Sequence, residues 1–399
     1  MSGPLAGIRL VDMTMNVMGP YASQTLGDMG ADVCKVEPPE GDTLRGVGPA
    51  RNAGMGPYFL HLNRNKRSLA LDLKRPEARA ALNRIVARAD VLLTSFRPQA
   101  MARLGADYAT FQRINPRLIY CGAFGFGQAG PYADLPAYDD LIQTAVGLPV
   151  LQARGVDEPT FVATAIVDRV VGLMAAGAVG MALYHRERSG EGQSIEVPMF
   201  ESMAQFIMGD HMYGRTFEPP LGGAGYARMM DPNRKPYRTT DGYLGVLIYN
   251  DKHWRRFFGG IGRDDLVADP RYATMYGRTQ NIGFLYSFLV ETFATRSTAE
   301  WQALLKDLDI PAMRLNTPDE LLDDPHMRAV DFFTLVEHPS EGMIRTMAIP
   351  QTWSVTQPTI RHPAPRIGEH SRDLLGEYDF TAEEVASLLE AGAVLAPST

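Results

Sequence analysis

Cysteine and histidine are the scarcest reactive groups in this 399-residue chain, with two of the first and eight of the second. Cys34 and Cys121 each lie in an apolar, strand-like run, so neither a disulfide framework nor a thiolate metal cluster can be built, and a reducing cytoplasm is the expected location. No two histidines stand in an HxxxH or HExxH spacing, so no metal site is expected. A GxSxG nucleophile elbow is absent, neither cysteine lies near a histidine in a recognisable motif, and there is no Walker A segment. One letter match to GxGxxG occurs at 125–130, but it runs into Pro131 instead of opening a helix, which removes the support for a nicotinamide or flavin cofactor. No uninterrupted apolar run reaches the ~18 residues of a membrane span, and the first residues lack a basic region followed by an apolar core. Basic excess is lacking too: 39 Lys and Arg face 46 Asp and Glu, for a net charge of −7, which argues against a nucleic-acid partner.

What is present is an ordinary globular composition, 45% hydrophobic and 21% charged, in a chain long enough for two lobes. Strand-like runs at 8–13, 31–37, 68–73, 91–94 and 118–121 alternate with helical stretches at 21–29 and 76–89. This βαβ rhythm predicts a Rossmann-like parallel sheet, with ligands beyond the carboxyl ends of its strands. Turn-rich segments at 218–225 and 231–236 then mark a change of texture. The expected organisation is a large domain over 1–215, a linker and smaller α+β domain over 216–330, and a return to the large domain over 331–399.

The elimination of thiol, serine and metal chemistry leaves carboxylates. Asp168 follows a short apolar run and opens a long Ala- and Val-rich helix, the position of an N-cap whose charge faces the positive end of the helix dipole. That reading is structural by itself, but an Asp can also attack an activated carbonyl covalently. Basic residues gather on strand-end loops: Arg64, Lys66 and Arg67 before the third strand, Lys74 and Arg75 after it, and Arg97 and Arg103 after the fourth, beside Phe96. Together they read either as an anion site, with Phe96 free to stack on a base, or as a solvated basic surface. Arg228, Arg234, Lys235 and Arg238 pose the same choice for a second carboxylate, as in a dicarboxylic acid.

Several stretches carry a family resemblance: GPYASQTLGDMGADVCKVEPPEGD (19–42), NRNKRSLALDLK (63–74), ADVLLTSFRP (89–98), NPRLIY (115–120), GFGQAGPY (125–132) and YHRERSGEGQ (184–193). Weaker echoes continue at 240–246, 269–274 and 366–371. The chain resembles the class III coenzyme A transferases of the CaiB/BaiF type, the group that includes formyl-CoA transferase. The resemblance implies that Asp168 is a nucleophile towards an acyl-CoA thioester, that coenzyme A is a substrate and not a resident cofactor, and that the second partner is a small organic acid. It further implies coenzyme contacts at Val17, Met18, Leu71, Lys74, Ser95, Phe96, Arg97, Ala100, Arg103 and Tyr138, and an interlocked homodimer. Pro38, Phe124 and Pro136 replace basic residues of formyl-CoA transferase, so phosphate contacts must come from other groups such as Arg45. The segment 222–225 resembles that enzyme's glycine lid, and reads equally as a linker. Two other functions stay open: an acyl-CoA racemase or isomerase, with Asp139, Asp140 or Glu201 as second acid or base, and a non-catalytic CoA-binding protein.

Overall fold

The computed structural model describes residues 3–155 and 157–397. The chain divides into two compact units, one formed by 1–146, 162–206 and 328–399, the other by 147–161 and 207–327. The division falls earlier than the turn-rich sequence at 218–225 suggests, and it sends 147–161 to the second unit, because a short helix at Leu148–Ala153 interrupts the sequence between strand and long helix.

In the first unit, chain order runs β1 (Arg9–Met13), α1 (Met18–Asp28), β2 (Asp32–Glu37), α2 (Pro57–Leu62), β3 (Lys66–Leu71), α3 (Pro76–Val86), β4 (Val91–Thr94), α4 (Pro98–Arg103), α5 (Tyr108–Ile114), β5 (Ile119–Phe124) and α6 (Asp139–Ala145). After α7 (Leu148–Ala153), of the second unit, come α8 (Ile166–Ser189) and β6 (Gln193–Pro198). Proline stands at the start of α2, α3 and α4, where its missing N–H costs nothing. The strands form one sheet in the order β3-β2-β1-β4-β5-β6, all parallel, with Val394–Leu395 added antiparallel beside β3. β4 and β5 are buried throughout, as strands covered on both faces must be. β6 is the exception: its QSIEVP sequence lies at the sheet edge, with Ser194 and Glu196 exposed, and has too little apolar character to read as a strand.

The order reverses between β1 and β4, the switch point at which α/β sheets open a crevice. α1 and α8 pack closely, because Gly172 lets the two backbones approach: a Cβ there would sit 2.7 Å from the Met18 carbonyl oxygen. By length and composition α8 is apolar enough to cross a membrane; 44% of its apolar stretch is buried inside the protein, while Leu173 and Met181 are exposed. Gly190, at φ 81°, ends it in the left-handed conformation that glycine adopts without strain.

The second unit builds a three-stranded antiparallel sheet from Tyr237–Arg238, Tyr243–Val246 and Ala312–Arg314. Its core is aromatic, with Trp254, Phe257, Phe258, Phe293 and Trp301 in mutual contact.

Candidate active site

Three strand-end loops of the first unit are fastened to one another beyond the carboxyl ends of β1, β4 and β5. The loop after β1 rests on buried charge. Lys35 Nζ donates to the Thr14 carbonyl at 2.9 Å and to Asp42 Oδ2 at 3.0 Å, while Asp42 Oδ1 accepts from the Asn16 N–H at 3.2 Å. Below it, Lys66 Nζ donates to Asp12 Oδ2 at 3.1 Å and to the Pro20 carbonyl at 2.9 Å. The Met15 N–H then donates across the switch point to Ser95 Oγ at 3.2 Å. From the β4 loop, Arg97 Nη1 reaches the Asp134 carbonyl at 3.0 Å, and in the β5 loop the Gly127 N–H donates to Glu201 Oε1 at 2.9 Å.

The β5 loop ends at Tyr138, exposed, and Asp139, which opens α6. Asp139 Oδ2 accepts the Asp168 N–H at 3.0 Å, and its Oδ1 accepts from Gln143 Nε2 at 2.6 Å. Gln143, fully buried, accepts the Val162 N–H at 3.0 Å through its other end. One side-chain pair thus holds both ends of the segment that leads into α8. Asp168 itself is half-buried in the first turn of that helix. Burial and the facing Asp139 carboxylate, with Asp140 behind it, outweigh the neighbouring Arg169 and push the Asp168 carboxyl up to about 7.

These positions correct several expectations. Asp168 is the third residue of α8, not its N-cap; Ala165 occupies the cap and makes no side-chain capping bond. Burial and like charge raise the Asp168 carboxyl. Arg64, Lys66 and Arg67 form no anion site: they pair with Asp28 at 2.7 Å, Asp12 at 3.1 Å and Asp32 at 2.7 Å, the first two in the interior. Nor is Arg45 free for phosphate. It holds Glu37 at 2.6 Å and lies 3.8 Å from the centre of the Phe59 ring. Phe96 is not among the corrected positions: it is half-buried against the core and lines a cavity of about 160 Å³ with Tyr108, Tyr120 and Phe124. Leu71 packs its side chain into the core, and its backbone lies in the sheet opposite Val394.

Val17 and Met18 start α1, and Ser95, Arg97 and Tyr138 lie on the fastened loops; Ala100 and the exposed Arg103 follow in α4, and Lys74 stands exposed after β3. A further cavity of about 700 Å³, of the size that small-molecule sites have, is lined by Pro39, Asp42, Arg45, Met55, Arg366 and Ile367. The positioning roles of Lys35, Asp42 and Gln143 were not read from the sequence, because each acts through a partner distant in the chain.

Fold and site together define an α/β protein that presents a protonatable carboxyl close to the crevice of a doubly wound sheet. The chain belongs to CoA-transferase family III, which matches residues 5–371. It is 34% identical, over 96% of this chain and 98% of the other, to the succinate–glutarate CoA-transferase of Agrobacterium fabrum. Similarity to the succinyl-CoA–D-citramalate CoA-transferase of Chloroflexus aurantiacus is 29% identity over 98% of both chains. Among solved structures, a CaiB/BaiF family protein from Brucella suis superimposes with a TM-score of 0.79 and 31% identity, covering 95% of this chain and all of that one.

Proposed function

We propose that the enzyme moves coenzyme A from an acyl-CoA thioester to a free carboxylic acid, with Asp168 as covalent nucleophile. The observation that carries this reading is the Asp168 carboxyl itself, half-buried, on a main chain held by Asp139, and raised to about 7. The Asp168 carboxylate attacks the thioester carbonyl, forming a mixed anhydride and releasing CoA thiolate. The thiolate attacks the aspartyl carbonyl, which frees the donor acid and leaves an aspartyl thioester. The acceptor carboxylate attacks that thioester to give a second anhydride and thiolate, and a final thiolate attack on the acceptor acyl carbonyl releases the new acyl-CoA and restores Asp168. Each intermediate hydrolyses if water enters, so a site partly withdrawn from solvent suits the chemistry.

Coenzyme contacts at Val17, Met18, Leu71, Lys74, Ser95, Phe96, Arg97, Ala100, Arg103 and Tyr138 belong to this proposal, as does a homodimer. Leu173, Met181 and Tyr184, exposed along α8, support an apolar surface for a second copy. The racemase reading is less favoured, because two of its candidate second acids already hold main chain: Asp139 accepts the Asp168 N–H and Glu201 the Gly127 N–H.

The test is mass-spectrometric detection of new acyl-CoAs when succinyl-, acetyl- or formyl-CoA is mixed with a panel of organic acids. CoA transfer is expected with the parent and a loss of about 10³-fold or more with Asp168→Ala, as removal of a covalent nucleophile causes. Transfer at the parent rate by the variant would overturn the mechanism.

A further inference from the structure

The buried arginines of the first unit each hold a carboxylate: Arg45 holds Glu37 at 2.6 Å, Arg64 holds Asp28 at 2.7 Å and Arg186 holds Asp90 at 2.9 Å. Arg169 differs. It is half-buried, directly after Asp168 in the first turn of α8, and among the described residues its guanidinium makes no ion pair and no hydrogen bond. Its contact is with the face of Tyr21, whose ring centre lies 4.5 Å from the guanidinium carbon.

That contact fixes where the charge stands. Tyr21 belongs to α1, and α1 is drawn against α8 at Gly172, where a Cβ would come within 2.7 Å of the Met18 carbonyl oxygen and 3.3 Å of Tyr21 Cδ1. Arg169 precedes Gly172 by three residues and Asp168 by four, spacings that put both on the helix face that meets α1. The cation is thus held beside the nucleophile by a ring that does not neutralise it.

The other groups around Arg169 leave its charge unbalanced. Burial, and then Arg64 and Arg169, hold the His61 imidazole of α2 below its usual range, and Arg64 is itself committed to Asp28. Asp168 balances Arg169 only in part, because burial and the carboxylates of Asp139 and Asp140 on α6 push its carboxyl up to about 7. A cation in the first turn of a helix also opposes the dipole. Withdrawing it from water without an anion costs free energy that a bound anion would offset.

CoA transfer supplies such an anion. As the Asp168 oxygen bonds to the thioester carbonyl carbon, the C–S bond breaks and its electron pair stays on sulfur. Negative charge therefore leaves Asp168, neutral once it is an anhydride, and appears on the thiolate. A cation already fixed beside Asp168 serves both states without rearrangement.

We propose that Arg169, steadied by Tyr21, is a further catalytic residue that holds the CoA thiolate released at each acylation of Asp168 and keeps it in place for the return attack; this rests on the CoA-transfer reading above. The test compares the parent with Arg169→Met, Arg169→Lys and Tyr21→Leu, using an acyl-CoA and an acid that the parent accepts in the screen above. CoA transfer, acyl-CoA hydrolysis and the pH profile of kcat/KM are measured for each. Arg169→Met is expected to lower kcat and kcat/KM together by about ten- to hundred-fold, as loss of a charge-assisted contact made during reaction does. The share of acyl-CoA hydrolysed should rise, because a thiolate that drifts away leaves the anhydride to water. The midpoint of the pH profile should move up by about one pH unit with the loss of the one favourable charge near Asp168. Arg169→Lys keeps the charge and should recover most of the transfer, while Tyr21→Leu should show a smaller loss of the same kind.

Transfer, hydrolysis and midpoint all unchanged in Arg169→Met would overturn the proposal. So would full recovery of its rate at high pH with no added hydrolysis, which would reduce Arg169 to a charge near Asp168, or a loss confined to the KM for the acid. A parent that transfers CoA to no acid, or an Asp168→Ala variant that transfers at the parent rate, would instead sink the covalent CoA-transfer reading, and this proposal with it. Melting curves accompany the kinetics; if Arg169→Met does not fold, Arg169→Gln and Tyr21→Leu carry the comparison.

Discussion

Asp12 and Asp168 are carboxylates of the same unit with opposite surroundings. Asp12 is fully buried in β1 and ringed by donors: Lys66 Nζ at 3.1 Å, Ser23 Oγ at 2.6 Å and the Thr14 N–H at 2.9 Å. Burial opposes its charge, but Lys66 and Lys35 overcome that and hold its carboxyl below the ordinary range. Asp168 has one arginine neighbour and two acidic ones, and its carboxyl rises to about 7. The difference separates a charge that serves the fold from a charge available to chemistry. Paired and bonded on several sides, Asp12 fixes the loop after β1; Asp168 is left without a compensating network and so remains reactive.

Breaking the structural half should have the largest effect on stability. Lys66→Met leaves Asp12 buried without its partner and is expected to cost about 3–5 kcal/mol, read as a lowered denaturation midpoint. A change below about 1 kcal/mol would contradict the structural role assigned to the buried Lys66–Asp12 pair.

Sharpening the reactive half turns on pH. As a nucleophile Asp168 works only when ionised, so kcat/KM is expected to rise with pH and level off above about 7. Asp139→Asn removes the nearest like charge and should move that midpoint down by about one pH unit, as loss of one facing carboxylate does. An unmoved midpoint would leave burial and Asp140 as the causes of the shift.

A smaller effect follows by linkage. An Asp whose folded pKa is raised destabilises the fold once it ionises, so stability at this site is greatest at low pH and is lost as pH rises through about 7. Asp168→Asn should therefore melt a few degrees above the parent at pH 8, with the gap narrowing as pH falls below 7 and closing near pH 4. A gap that widens towards pH 5 would reverse the sign assigned to Asp168.

The same contrast explains what was legible in the sequence. Strands such as Val91–Thr94 were plain because their Val and Leu residues form an unbroken apolar run, and β6 was not because its residues are those of a sheet edge. Asp168 stood out through its place before an apolar helix, yet the cap assignment failed: the turn begins at Ala165, and a difference of three residues cannot be read from composition. Lys66 and Arg64 looked like ligand groups because their partners, Asp12 and Asp28, lie far away in the chain and meet them only through the sheet. Arg228 shared its run with three other cations, and only burial and a hydrogen bond to Tyr286 set it apart; Arg169 gave no signal, because its want of a partner shows only in the fold.

Trapping of the covalent intermediate addresses the role of Asp168 most directly. Enzyme turning over an acyl-CoA with an acceptor acid is quenched with borohydride or hydroxylamine, digested and mapped by peptide mass spectrometry. Reduction or hydroxamate formation at Asp168, dependent on acyl-CoA, is the expected result. Turnover that leaves Asp168 unmodified, or modifies another residue, would contradict the covalent role assigned to it.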